Sequence, residues 1–193
     1  MNEPIAVLDA CVLYPAPLRD FLMHLTLLDA FRARWTEEIH AEWIGNLLAN
    51  RPDLKPEQLE RTRQLMNAHT RDAVVENYEN LIDALELPDA NDRHVLAAAI
   101  RAEASVIVTF NLRDFPAKNL APYQIEAVHP DAFSISLIEA DQATVLMAAQ
   151  RQWHSLKNPP KPLEEFLEIL KSCGLIKTVE KLRFLFEENF PIK

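Results

Sequence analysis

Two short runs of unbroken apolar residues, each closed by a polar one, constrain this chain more than any other feature. They are Ile5-Ala6-Val7-Leu8-Asp9 and Ser105-Val106-Ile107-Val108-Thr109. A strand with one wet face alternates apolar and polar residues, whereas a strand covered on both faces reads as a continuous apolar run. The β-branched residues favour strand over buried helix. The segments around them repeat their apolar residues on a helical period, and strands alternating with helices predict a parallel sheet covered on both sides.

Between the two runs, Leu18 to Ala30 reads as a helix carrying Phe21, Leu22, Leu25 and Leu28, and Ala33-Arg34-Trp35 as a brief second strand. Thr36 is an N-cap candidate, followed by Glu37 and Glu38 in the first turn, where the helix dipole favours anions. That helix runs to about Leu48. Glu57 to about Thr70 reads as a charged, exposed helix and Asn77 to Leu85 as a short one. Asn91 to Ala104 is the clearest helix, and Ile125 to Val128 reads as a final edge strand. Past Pro130 the pattern is helical only, with a break at 158–162 and Gly174 where a helix C′ residue belongs. The expected organisation is an α/β domain over 1–130 and a helical extension over 131–193.

Composition narrows the function classes. Two glycines among 193 residues exclude glycine-rich phosphate loops and collagen-like repeats. Cys11 and Cys173 form neither a disulfide framework nor a zinc spacing, which suits a reducing cytosol. No run approaches the ~20 apolar residues of a membrane span, so a soluble cytoplasmic protein is expected. The net charge of −9 argues against a passive nucleic-acid coat. Residues 1–130 hold 20 Asp+Glu and 12 Lys+Arg, so the acidity lies almost wholly there. An unneutralised metal site has that signature.

Ligands of open α/β sheets bind beyond the carboxyl ends of the strands. Asp9 closes the first run, and Asp114 lies in the loop leaving the second. Asp92 opens the Asn91–Ala104 helix in phase with Val95, Leu96 and Ala99, which turns it toward the sheet at the same rim. Glu42 borders the apolar face of its helix. Taken singly, each has an ordinary explanation as a cap, turn or solvated residue. Converging, they would repel one another unless a cation sat between them, and an oxygen-only set suits Mg²⁺ or Mn²⁺ rather than zinc. The six histidines show no metal spacing, and His94 is expected on a different side of its helix from Asp92. Cys11 reads as a small buried hydrophobe.

These residues carry a resemblance. Val7-Leu8-Asp9-Ala10-Cys11-Val12-Leu13-Tyr14 and Glu42 within Glu38 to Trp43 resemble the first two motifs of PIN domains. Leu87 to Ala99, then Ala104 to Pro116, resemble the third and fourth, and the tail is similar to that of VapC-type toxins with an extended C-terminus. The resemblance implies a three-layer α/β/α fold and a Mg²⁺- or Mn²⁺-dependent endoribonuclease. Asp9, Glu42, Asp92 and Asp114 match its acidic set, and Thr109, Asn111 and Asp89 match supporting polar positions. It further implies an RNA substrate, a small antitoxin partner and a homodimer. Where the family commonly has Thr or Ser followed by Asn or Ser after the first Asp, this chain has Ala10-Cys11. Two other readings stand beside it: a non-catalytic PIN-like binding protein, and a phosphatase with Asp9 as nucleophile, which would want an Asp at position 11.

Overall fold

The first apolar run forms strand β1 (Ile5–Leu8), and the computed structural model, which describes residues 3–189, pairs it on both edges. On one side is β2 (Arg32–Arg34), in register Ile5 to Arg32 and Val7 to Arg34. On the other is β3 (Val106–Val108), in register Ala6 to Val106 and Leu8 to Val108. Strand β4 (Glu126–Val128) adds to β3, giving a four-stranded parallel sheet in the order β2-β1-β3-β4. Ala6, Val7 and Leu8 are consecutive and all fully buried, as are Ile107 and Val108. Neighbouring residues of a strand point to opposite faces, so helices cover both and the fold is a three-layer α/β/α.

The helices of this unit are α1 (Ala10–Leu13), α3 (Glu37–Asn50), α4 (Pro56–His69), α5 (Glu79–Ile82), α6 (Arg93–Arg101) and α7 (Ala117–Leu120). Thr36 caps α3, its side chain accepting from the Ile39 N–H at 3.1 Å. Helix α6 packs on β1 and β3 through Val95, Leu96 and Ala99, all fully buried. The expected helix from Asn91 begins instead as a 3₁₀ turn (Ala90–Asp92), because the Asp89 carboxylate accepts from the Asn91 N–H at 2.9 Å and closes a tighter first turn. Trp35 and Trp43 are core residues, their indoles donating to Asn67 and His40.

The chain groups into two units. One comprises the residues up to Tyr14 with Phe31–His129. The other joins Pro15–Ala30, which holds α2 (Ala16–Thr26), to the residues from Pro130 onward. In that second unit the chain forms α8 (Pro130–Ala140), α9 (Gln142–Ser155), α10 (Leu163–Ser172) and α11 (Ile176–Asn189). Helix α2 lies against α9 and α10, and α8 against α9 and α11. Gly174 has φ 92°, the left-handed conformation that ends a helix at low cost when no Cβ is present. Residues 1–2 and 190–193 of the expected domains lie outside the described residues. Among those described, no helix is long and apolar enough to cross a membrane.

Candidate functional site

Asp9 follows the last residue of β1 and remains tied to the sheet, its N–H donating to the Val108 carbonyl at 3.1 Å. It occupies the N-cap position of α1 without capping it. Its side chain turns inward, where Thr109 Oγ1 donates to Asp9 Oδ2 at 2.6 Å and the Cys11 thiol donates to the same oxygen at 3.1 Å. Thr109 follows β3 and is fully buried, so the ends of two adjacent strands converge on one carboxylate that is itself only 5% exposed. The loop beyond β3 completes the arrangement. The Asn111 N–H donates to Thr109 Oγ1 at 2.9 Å, and the Phe110 N–H donates to Cys11 Sγ at 3.3 Å.

Asp92 sits at the junction of the 3₁₀ turn and α6, half-buried. Its carboxyl is pushed up to about 6, first by burial and then by the charges of Asp9, Asp89 and Asp114, with His94 acting in the opposite direction. Asp92 therefore stands within reach of the charges of the other three carboxylates. Asp114 is half-buried in the loop after β3, its N–H donating to the Asn111 carbonyl at 2.9 Å, whereas Asp89 is exposed and serves as the cap of the 3₁₀ turn. Asn111 is exposed and enters the network through its backbone.

Glu42 is held elsewhere in the network. Its Oε1 lies 3.0 Å from His94 Nε2, and Glu38 Oε2 stands 3.6 Å from His94 Nδ1 while accepting from the Tyr78 hydroxyl at 3.1 Å. Among the described residues, no three His, Cys, Asp or Glu side chains stand together as a ready-made ligand cage. Mutually repelling carboxylates do not close on a centre by themselves. The donor set is oxygen-only and anionic, which is the chemistry of a hard divalent cation.

Two residues differ from what the sequence suggests. Cys11 is half-buried rather than inert packing: burial and then the Asp9 charge push its thiol up to about 12, so it remains an S–H donor to that carboxylate. His94, expected away from Asp92, is 4% exposed and adjoins the site. Burial opposes the charged imidazole, yet the bond and charge of Glu42, then the charges of Glu38 and Asp9, outweigh it and raise the His94 pKa. The Glu42–His94 pair carries no short-range spacing that a sequence reading could use.

Residues 6–113, more than half of the chain, match the family described as PIN domain. The chain belongs to the PIN-domain family. Beyond the PIN domain, residues 130–184 match the VapC50 C-terminal domain, so this is a VapC-like PIN protein with a helical C-terminal extension. A relative from Mycobacterium tuberculosis (strain ATCC 25618 / H37Rv), described as "Putative ribonuclease VapC50", is 49% identical over 73 residues. That stretch is 36% of this chain and 43% of the relative, less than half of either. No solved structure matches the chain with significance.

Proposed function

We propose that this PIN-domain chain is a Mg²⁺- or Mn²⁺-dependent endoribonuclease, the toxin of a type II toxin–antitoxin pair acting in the cytoplasm. The reading is carried by one observation: the charges of Asp9, just past β1, and of Asp114, in the loop after β3, both reach Asp92 ahead of α6, at the carboxyl ends of the strands. In this reading residues 1–130 hold the catalytic centre and 131–193 form an extension. RNA is the substrate, a small antitoxin is the partner, and a second copy of the chain completes a homodimer. The family match and the ribonuclease name of the relative favour this over a phosphatase, as does Cys11, which stands where a phosphatase of that kind wants its second Asp.

Asp9, Asp92 and Asp114 would hold the cation, which supplies a lowered water pKa and charge neutralisation at the phosphate. Thr109 and Cys11 fix one oxygen of Asp9, so that ligand keeps its orientation when the charge around it changes. Asn111 orders the loop that bears Asp114 through its bonds to Thr109 and Asp114. Asp89 stabilises the turn that presents Asp92. Glu42 would ligate the cation through water or help deprotonate that water.

Purified wild-type chain is expected to cleave single-stranded RNA with Mn²⁺ and not with EDTA. Asp9→Asn and Asp92→Asn are each expected to lose cleavage by about 10³-fold or more while keeping a native circular-dichroism spectrum. Undiminished Mn²⁺-dependent cleavage by both variants overturns the site.

A further inference from the structure

We propose that His94 is a positioning residue: its Nε2–H holds the Glu42 carboxylate of α3 against the first turn of α6, so that Glu42 meets the reaction in one orientation. The inference rests on the nuclease reading above and adds to it a residue outside the acidic set.

The hydrogen inventory fixes the direction of the bond. An ionised carboxylate only accepts, so at 3.0 Å from Glu42 Oε1 the ring nitrogen Nε2 must carry the proton. The other nitrogen is buried and lacks a hydrogen-bond partner, since Glu38 Oε2 at 3.6 Å lies beyond reach. Burying an imidazole at 4% exposure is costly, and the bond to Glu42 is what offsets it.

Geometry gives the bond more than a structural role. It joins α3 to α6, helices 52 residues apart at these positions, and α6 is the helix whose start presents Asp92. His94 is also within reach of the charges of Asp9 and Asp92, so the bond ties Glu42 to a residue that adjoins the acidic cluster. The Glu42 side chain remains 39% exposed. One of its oxygens is anchored while the group stays open to solvent and substrate. A glutamate free to sample its rotamers must be ordered during each turnover, and an anchored one is ordered beforehand.

The test uses the full chain, with RNA cleavage in Mn²⁺ and an NMR measurement on the metal-free protein. His94→Leu keeps volume without a donor, and His94→Gln keeps an N–H of similar reach. For His94→Leu we expect kcat to fall about tenfold or more, with KM and calorimetric Mn²⁺ affinity little changed. His94→Gln is expected to recover much of that loss. In a Glu42→Ala background, His94→Leu is expected to cost nothing further, because the two act as a unit. In the metal-free wild type, the His94 Nε2 proton is expected as a slowly exchanging resonance that disappears in Glu42→Ala. Should His94→Leu fail to fold, His94→Gln and this resonance carry the test. An equal kcat loss from His94→Leu with and without Glu42, or an unchanged resonance in Glu42→Ala, overturns the proposal. Absence of any Mn²⁺-dependent cleavage by the wild type overturns the nuclease reading itself, while the resonance still reports whether the bond exists.

Discussion

At neutral pH the Asp92 carboxyl carries a charge that its surroundings oppose, because burial and three neighbouring carboxylates all favour the protonated form. Its folded-state value of about 6 lies above the ordinary 3.8, so the native chain binds this proton more tightly than the unfolded one. The resulting stability is present below the ordinary value and is lost as pH rises through about 6. Metal-free Asp92→Asn, which carries no charge, is therefore expected to melt higher than the wild type at about pH 8, with the gap closing toward about pH 5. Thermal melts in EDTA across that range check it, and a gap that ignores pH counts against the charge cluster. Thr109 acts in the opposite sense, stabilising a charge. Thr109→Val leaves the buried Asp9 oxygen without its 2.6 Å donor and is expected to cost about 1.5–3 kcal/mol. Thr109→Ser keeps the hydroxyl and is expected to cost about 1 kcal/mol for the lost methyl. Equal losses in denaturant titrations would mean that the hydroxyl does not support Asp9. The rim positions of Asp9, Asp92 and Asp114 were legible because strand ends and helix starts can be located from periodicity. The bond from Thr109 to Asp9 was not, since it joins positions 100 residues apart.

Elements with a local cause, α3 and β3 among them, were legible to within a residue or two, whereas the helix expected over Leu18–Ala30 runs Ala16–Thr26. Thr36 announces α3 because a hydroxyl three residues before a helical N–H is a short-range device. Strand β3 follows from its β-branched run. Helix α11 has a cap that no local signal reveals. Asp131, in the first turn of α8, accepts from the Lys177 and Thr178 N–H groups at 3.0 and 2.8 Å and from the Thr178 hydroxyl at 2.7 Å. A carboxylate borrowed from 46 residues earlier thus satisfies the start of α11 and fixes α8 against it. Asp131→Ala leaves the buried Thr178 donors and the Lys177 N–H without this acceptor and is expected to destabilise the chain by about 2 kcal/mol. Asp131→Asn, which keeps one acceptor, is expected to lose less. Chemical denaturation of the two variants decides it, and an alanine variant as stable as the wild type would show that the cap contributes nothing.

On the scale of the whole molecule, the excess of acid is unevenly spread, with 20 Asp+Glu against 12 Lys+Arg in residues 1–130 and near balance after them. Any added cation relieves such self-repulsion in a diffuse way. A bound divalent ion instead stabilises at a place, by RT ln(1 + [L]/Kd), or about 2.7 kcal/mol at a hundredfold excess over Kd. The two effects differ in where they act. Mn²⁺ at matched ionic strength is expected to slow amide hydrogen exchange in β1, in the 3₁₀ turn ahead of α6 and in the 109–114 loop, because those segments carry the proposed ligands. Sodium at the same ionic strength is expected to leave that pattern unchanged, as is Mn²⁺ added to Asp9→Asn. If Mn²⁺ and sodium produce one and the same diffuse pattern, the acidity of the first unit is a general surface property and the carboxylates do not act as a site. Protection confined to the three segments and lost with Asp9 ties the charge imbalance to one cation held where the strands end.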